Sequence, residues 1–332
     1  MPPNADWPHE PNQDEWWQES VVLSWADPKL EMGGVIRLGH QPNRKFAKCC
    51  FGIVSRNGPG YTRSAQDLPW RPSDRLRDGF AVDNFVSATF KGRTHRWVAR
   101  DELCEMDIVV TDVHDAYDFL TLTPRTETTQ TWFSNHLQGG GLFEGWVRLG
   151  DRRLEVSGST YRDHSWGTRL LQNPRADLYA GWWLGGAFGP NFSFGFQDGR
   201  SQSGDRMPCA YLVIDGRTYS AQVIDAEVAV ALGDGISPKG VKVVVYEPEL
   251  GQLTFEATGF GSVVLELEKK HFELSMPCTV RCQDRVGGGS VETILNPRNG
   301  TTRPFWLENA ALQNGLSEFR NGKLVQPPFG RP

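Results

Sequence analysis

Stretches in which apolar and polar residues alternate run through most of the chain. Such alternation is typical of half-buried antiparallel strands, because successive side chains of a strand point to opposite faces. Examples are residues 34–38, 107–112, 143–149, 153–157, 209–214, 252–257 and 272–276. Hairpin-like turns separate several of these stretches, at residues 149–152, 198–200 and 214–217. The pattern predicts an all-β protein with about fifteen short strands.

Long segments with helical periodicity are absent from the sequence. Residues 162–173 and 308–314 are predicted to form short helices at most. The strand content predicts two antiparallel β-barrel or β-sandwich domains, which we place at residues 1–157 and 158–332. Two runs of three glycines, at 139–141 and 287–289, are interpreted as a turn and a bulge.

Composition and charge exclude several classes of protein. The 332 residues carry a net charge of -5, so the chain lacks the basic character of a nucleic-acid-binding protein. No apolar run approaches the roughly 18 residues that a membrane span requires. The polar, acidic N-terminus resembles no signal peptide, and the six cysteines are expected to be reduced thiols, which favours a cytoplasmic location. The 36 glycines and 12 tryptophans indicate tight turns and large rings that fill a core or line a cavity.

Residues 158–169 hold an unusual density of ionisable side chains. One interpretation is a structural hub in which Asp163 forms an ion pair with an arginine. The other makes Asp163 a general acid, because a carboxyl group surrounded by Trp and Tyr loses solvation and its pKa rises. His164 would then orient Asp163 or act as the base. In an extended segment, alternation would place Tyr161, Asp163 and Ser165 on one face and Arg162, His164 and Trp166 on the other.

The segment Tyr161-Arg162-Asp163-His164-Ser165-Trp166-Gly167 resembles the Tyr-x-Asp-His-x-Trp-Gly segment of the carotenoid 1,2-hydratase (hydroxyneurosporene synthase) and AttH-like superfamily. The close match covers only these seven residues, and the rest agrees in architecture. The resemblance implies two lipocalin-like domains, with Asp163 as the acid/base residue and His164 and Trp166 as its supporting neighbours. Ser165 stands where hydratases of this group often carry Asn or Gln, a departure that leaves water activation open.

The resemblance implies a cofactor-free lyase (hydratase or dehydratase) or an isomerase or cyclase of secondary metabolism. Its substrate would be a hydrophobic terpenoid-, steroid- or aromatic-type small molecule, since aromatic faces stabilise cationic intermediates. Glu292 lies in an apolar strand-like run and would be a second acid/base residue if it faces the cavity, although it could equally face solvent. The residues predicted to bind substrate are Tyr161, Trp166, Trp182, Trp183 and Trp146.

A carrier of an apolar ligand is the alternative, since a pair of lipocalin-like barrels can bind without catalysis. A carboxyl group buried inside the pocket would favour the enzyme, because desolvating it has a cost that a carrier has no reason to bear. Cys278 and Cys282 have no second pair at zinc-like spacing, and neither a phosphate loop nor a dinucleotide fingerprint is present. We therefore expect neither a metal nor a cofactor, and the sequence leaves the oligomeric state open.

Overall fold

Strands make up most of the computed structural model, which describes residues 5–121, 134–169, 178–201, 206–268, 271–295 and 306–326. Within these ranges the helical elements are three 3-10 turns, at Pro42–Arg44, Pro72–Asp74 and Phe119–Thr121. The prediction of an all-β protein is confirmed. In this part of the chain no helix has the length and apolar character needed to cross a membrane.

Twelve strands precede residue 170. They are β1 (Trp17–Asp27), β2 (Met32–Gln41), β3 (Phe46–Ser55), β4 (Gly58–Pro69), β5 (Arg75–Leu76), β6 (Gly79–Val82), β7 (Val86–Lys91), β8 (Thr94–Arg100), β9 (Cys104–Asp112), β10 (Tyr117–Asp118), β11 (Asn135–Leu149) and β12 (Arg152–Thr168). The strands that follow are β13 (Leu178–Ala187), β14 (Phe192–Ser201), β15 (Arg206–Ile214), β16 (Arg217–Ser220), β17 (Gln222–Val230), β18 (Pro238–Glu247), β19 (Gly251–Gly259), β20 (Ser262–Glu268), β21 (His271–Cys282), β22 (Arg285–Leu295), β23 (Ala310–Ala311), β24 (Gly315–Arg320) and β25 (Lys323–Gln326).

The strands form two sheets. The first has the order β25-β24-β4-β3-β2-β1-β12-β11-β9-β8-β7-β6-β5, with β10 paired to β11. The second has the order β16-β15-β14-β13-β22-β21-β19-β18-β17, with β20 paired to β21 and β23. Neighbouring strands in both sheets are antiparallel except β20 and β23, which are parallel. Sequential hairpins therefore build most of each sheet.

The change from one sheet to the other falls after Thr168, at the end of β12. The predicted boundary at 157/158 lies inside β12, which pairs along its length with β11 in the first sheet. The last two strands, β24 and β25, return to that first sheet. The division into two domains at 157/158 stays a prediction.

Both predicted helices are wrong within the described residues. Residues 162–168 are extended because β12 pairs with β1 on one side and β11 on the other, which satisfies its backbone groups in the sheet. Residues 308–314 contain β23 and turns instead of a helix. Residues 170–173 of the first predicted helix lie outside the described ranges.

Each sheet curls around its own apolar cluster. In the first, Trp25, Phe51, Phe80 and Trp97 are among the fully buried rings. In the second, Phe194 and Phe255 lie in contact at the centre of a larger group of aromatic and aliphatic side chains. The two sheets then pack against each other through β1, β11 and β12 on one side and β13, β21 and β22 on the other.

Glycines permit this close packing of the two sheets. A Cβ atom at Gly140 would lie 2.7 Å from the carbonyl oxygen of Gly186 and 2.8 Å from Cβ of Ser193. A Cβ at Gly185 would lie 2.0 Å from the ring of Tyr161. The glycine runs at 139–141 and 287–289 lie inside β11 and β22, so their interpretation as a turn and a bulge is wrong. Close approach of backbone from the facing sheet accounts for the central glycine of each run, Gly140 and Gly288, and the flanking glycines lie close to neighbouring strands of their own sheet.

Replacing Gly140 with alanine should destabilise the fold by about 1–3 kcal/mol, the usual cost of overpacking a filled interior. Gly39→Ala is a matched control, since its added Cβ meets nothing nearer than Cβ of Ser20 at 3.5 Å. Urea unfolding of both variants measures the difference. Equal stabilities would show that the sheets can separate without cost at Gly140.

Candidate active site

Strand β12 divides its side chains between two environments. The extended alternation predicted for residues 161–166 is what the structure shows. Asp163 pairs in register with Val22 of β1 and Gln138 of β11, and it faces the second sheet. His164 pairs with Val21 and Leu137, and it points to the opposite face. Neighbouring charged residues of one segment thus serve separate sites.

On the face away from the second sheet, Arg162 joins two carboxylates. Its Nη1 and Nη2 donate to Asp6 at 2.8 and 2.9 Å, and its Nε and Nη2 donate to Oδ2 of Asp112 at 2.8 and 2.6 Å. The guanidinium lowers the pKa of both carboxyl groups, against the effect of burial. The hub that we predicted exists, but Arg162 forms its ion pairs, and Asp163 forms none with the residues that the structure describes.

A tryptophan and a histidine extend this hub. Nε1 of Trp97 donates to Nδ1 of His95 at 2.6 Å, so Nε2 of that ring carries the proton. Nε2 then donates to Asp112 at 2.9 Å. Asp112 is therefore fully hydrogen-bonded between His95 and Arg162, as a buried carboxylate must be.

His164 belongs to the same face and is ion-paired. Its Nε2 lies 2.9 Å from Glu19 and its Nδ1 lies 3.5 Å from Asp6. Burial disfavours the charged ring, but the two carboxylates outweigh it and raise the pKa of His164 to about 9. His164 is protonated at neutral pH, so it cannot be the base that the sequence suggested. Trp166 stacks on His9 with ring centroids 3.8 Å apart, also on this face.

One group of metal-ligand side chains occurs among the described residues. Ligand atoms of His9, Glu19 and His164 lie within 4.8 Å of one another. Glu19 accepts from Nδ1 of His9 at 2.7 Å and from its backbone N–H at 3.1 Å. These contacts give the three groups a structural role, in which they hold the N-terminal segment against β12.

On the other face of β12, a cavity of about 40 Å³ lies between the two sheets. Its lining is mostly polar, whereas the sequence predicted Trp and Phe. The register of the adjacent strands places polar residues side by side on this face, which is why most of the lining residues are polar. The lining residues are Ser20, Val22, Arg37, His136, Gln138, Tyr161, Asp163, Ser165, Arg169, Trp183, Glu273 and Glu292.

Two carboxyl groups from different sheets meet at this cavity. Burial raises the pKa of Asp163 to about 6, and the charges of Arg169 and Arg37 limit the rise. Burial, with the negative charges of Glu273 and Asp163, raises the pKa of Glu292 well above its usual value. The hydroxyl of Ser24 donates to Glu292 at 3.3 Å. Of the two locations that the sequence allowed for Glu292, the structure shows the cavity.

The aromatic residues predicted to bind substrate are dispersed. Tyr161 and Trp183 line the interface cavity. Trp182 points to the other face of β13, where it lines a groove of about 560 Å³ in the second sheet. Trp146 lies on the surface of the first sheet, 4.2 Å from the guanidinium of Arg153. Trp166 lies on the opposite face of β12 from the cavity.

Arg37 is the cavity residue that the sequence reasoning missed. It interrupts the apolar run Gly34-Val35-Ile36-Arg37-Leu38, the same signal that singled out Glu292. Asp6, Glu19 and Asp112 were also missed, because each is far in sequence from its partner on β12.

A family comparison identifies the chain. Residues 2–297 match the family described as "Domain of unknown function (DUF7064)". The chain belongs to this family. No curated protein matches it in sequence.

Solved structures share the fold of this DUF7064 chain at low identity. A candidate AttH from Nitrosomonas europaea is 10% identical, with a TM-score of 0.57 over 89% of this chain and 96% of the other. CghA, solved with Sch210972, is 10% identical, with a TM-score of 0.56 over 85% and 88%. Kievitone hydratase from Nectria haematococca is 9% identical, with a TM-score of 0.53 over 85% and 90%. The predicted AttH-like fold is confirmed.

Replacing Arg162 with methionine should lower the free energy of unfolding by about 3–5 kcal/mol, because Asp6 and Asp112 would remain buried without their partner. Arg153→Met, which removes an exposed arginine of the same strand, should change it by less than about 0.5 kcal/mol. Urea denaturation measures the free energy of unfolding of both variants. Similar decreases in Arg162→Met and Arg153→Met would show that the hub adds no stability.

The pKa of His164 predicts how stability depends on pH. The pKa is about 9 in the folded chain and 6.5 in the unfolded one, so the stabilisation is complete below pH 6.5. It is lost as the pH rises through 9. The stability difference between the wild type and His164→Gln should therefore shrink between pH 6.5 and 9.5 in urea unfolding. A difference that stays constant would mean that His164 is neutral throughout.

Proposed function

We propose that this protein is an enzyme that moves protons on a small organic substrate, as a lyase (hydratase or dehydratase) or as an isomerase or cyclase. The observation that carries the proposal is the presence of Asp163 and Glu292 on opposite walls of one buried cavity, each with a raised pKa. A catalytic acid or base works best when its pKa is close to the operating pH. The proposed chemistry requires no group beyond these carboxyls.

We assign the two carboxyl groups different roles. Asp163, with a pKa of about 6, is mostly ionised at pH 7 and acts as the base. Burial and the nearby negative charges raise the pKa of Glu292 well above its usual value, which favours the protonated form, and it acts as the acid. Such a separation of two neighbouring carboxyls into a base and an acid is a recurrent catalytic arrangement.

The proton balance is simple in either reaction. In isomerisation, Asp163 takes a proton from one substrate carbon and Glu292 gives one to another, while the double bond shifts between them. In dehydration, Asp163 takes the C–H proton and Glu292 protonates the hydroxyl that leaves as water. Each turnover ends with Asp163 protonated and Glu292 ionised, so one proton must return from Asp163 to Glu292 through the cavity.

The cavity volume restricts what enters between the sheets. About 40 Å³ accommodates a functional group, whereas sites for whole drug-sized ligands measure roughly 300–1,000 Å³. The reacting end of the substrate would therefore occupy the cavity. A hydrophobic terpenoid-, steroid- or aromatic-type body remains part of the proposal. The likeness in fold to kievitone hydratase, and to CghA, which was solved with Sch210972, supports a small organic molecule as substrate.

A carrier of an apolar ligand is the second candidate. The groove of about 560 Å³ favours it, because Trp182, Val228 and Leu274 line a wall large enough for a whole ligand. The enzyme is the better conclusion, because burying Asp163 and Glu292 has a free-energy cost that binding in that groove does not require.

Asp163→Asn and Glu292→Gln should each slow proton exchange by about 10²–10⁴-fold, because each removes a positioned acid or base. The assay follows deuterium uptake from D₂O into a panel of cyclic β,γ-enones and β-hydroxy ketones by mass spectrometry. Glu155→Gln, which removes an exposed carboxylate from the same strand as Asp163, is the control. In the wild type, kcat/KM should rise as the pH increases through about 6, where Asp163 ionises.

Two outcomes would contradict the enzyme. Full exchange in folded Asp163→Asn would mean that the base is elsewhere. Binding of a panel compound without any exchange in the wild type would favour the carrier.

A further inference from the structure

Arg37 is as buried as Arg162, but its surroundings differ. Both residues are 2% exposed. Arg162 makes four hydrogen bonds to two carboxylates, whereas Nη2 of Arg37 has no hydrogen-bond partner in the part of the chain that the structure describes. No ion pair joins Arg37 to any described residue either. Among the described residues, the donors of Arg162 are thus paired with carboxylates, whereas Nη2 of Arg37 is a buried donor without a partner.

An uncompensated buried charge is costly. Moving a charged group out of water costs several kcal/mol unless hydrogen bonds and an opposite charge compensate for it. A guanidinium offers five N–H donors in a planar fork that matches a carboxylate. Arg37 is one of the residues that line the interface cavity, so a ligand in that cavity would lie beside its side chain.

The register places Arg37 close to the proposed base. Arg37 pairs with Val22, and Val22 pairs with Asp163, so the three side chains form one row across β2, β1 and β12. Adjacent strands lie about 4.8 Å apart, which separates the backbones of Arg37 and Asp163 by roughly 10 Å. The side chain of Val22, between them, is apolar and cannot form a hydrogen bond. A group of two or three heavy atoms above Val22 would contact both ends of the row.

The cavity has the size of such a group. A buried water needs roughly 10–15 Å³, so about 40 Å³ holds two or three waters or one carboxylate. The other titratable or charged side chains that face the cavity are Asp163, Glu292, Glu273, Arg169, His136 and Tyr161. Burial lowers the pKa of His136 to about 3, so that ring adds no positive charge at neutral pH.

We propose that Arg37 is the anion-binding residue of this cavity and that the substrate is an organic acid, with a carboxylate or an ionised enol beside its reacting carbon. The carboxylate or enolate oxygen binds the guanidinium while Asp163 takes the proton from the adjacent carbon. The part of this inference that names the substrate rests on the proposed function. Binding of an anion by Arg37 is independent of any turnover.

Acetate is the probe, and acetamide is its neutral counterpart of the same shape. At constant ionic strength, acetate should raise the melting temperature of the wild-type protein saturably, and acetamide should not. Arg37→Gln should abolish the acetate effect. Arg153→Gln, which removes an exposed guanidinium, should preserve it.

The pH dependence separates an anion site from a structural arginine. Acetate should bind more tightly at pH 5.5 than at pH 7.5, because protonation of Asp163 removes a negative charge that faces the site. Asp163→Asn should bind acetate tightly at both pH values. Without acetate, Arg37→Gln should melt at or above the wild-type temperature, since it removes a buried charge whose Nη2 has no hydrogen-bond partner among the described residues.

Three results would overturn the proposal. They are equal effects of acetate and acetamide, retention of the acetate effect in Arg37→Gln, and failure of both Arg37→Gln and Arg37→Met to fold, which would make Arg37 structural. If acetate binds through Arg37 but Asp163→Asn exchanges protons normally, the proposed function fails while the anion site stands. If exchange depends on Asp163 but acetate does not bind, the anion site fails while the proposed function stands.

Discussion

The alternation of side chains along β12 is the constraint on which the rest of this molecule depends. A strand cannot direct adjacent residues to the same face, so Arg162 and His164 enter one environment and Asp163 enters the other. The first environment contains enough carboxylates to neutralise both cations. The second contains two carboxyl groups whose pKa values are raised by burial. A single strand thereby carries both a stabilising ion network and a candidate acid/base site.

The glycine contacts and the raised pKa values are connected. Because Gly140 and Gly185 let the sheets approach closely, little water remains between them, and Glu292 is only 7% exposed. Loss of solvation is the first cause of the raised pKa at both cavity carboxyls. Close packing at glycines thus contributes to the raised pKa of carboxyl groups elsewhere in the interface between the sheets.

The pattern of apolar and polar residues predicted those features that depend on neighbouring residues along the chain. The all-β class and the two faces of residues 161–166 followed from alternation alone. Partners such as Asp6 and Asp112 did not, because their approach to Arg162 depends on pairing between distant strands, which a single sequence does not specify. The glycine runs were misread for the same reason, since the backbone that Gly140 and Gly288 approach belongs to the other sheet. Arg37 was visible as a charge in an apolar run, yet its importance lies in Nη2, which has no hydrogen-bond partner among the described residues.

The return of β24 to the first sheet affects the order in which the chain can fold. The backbone N–H of Ser64 donates to the side chain of Asn314, 250 residues away, beside the pairing of β4 with β24. During synthesis β4 emerges long before β24, and it would present an open edge until residues 315–320 have left the ribosome. Open edges are templates for pairing with other chains. The first sheet is therefore complete only after the second has been synthesised, and until then the edge of β4 is open to misassembly.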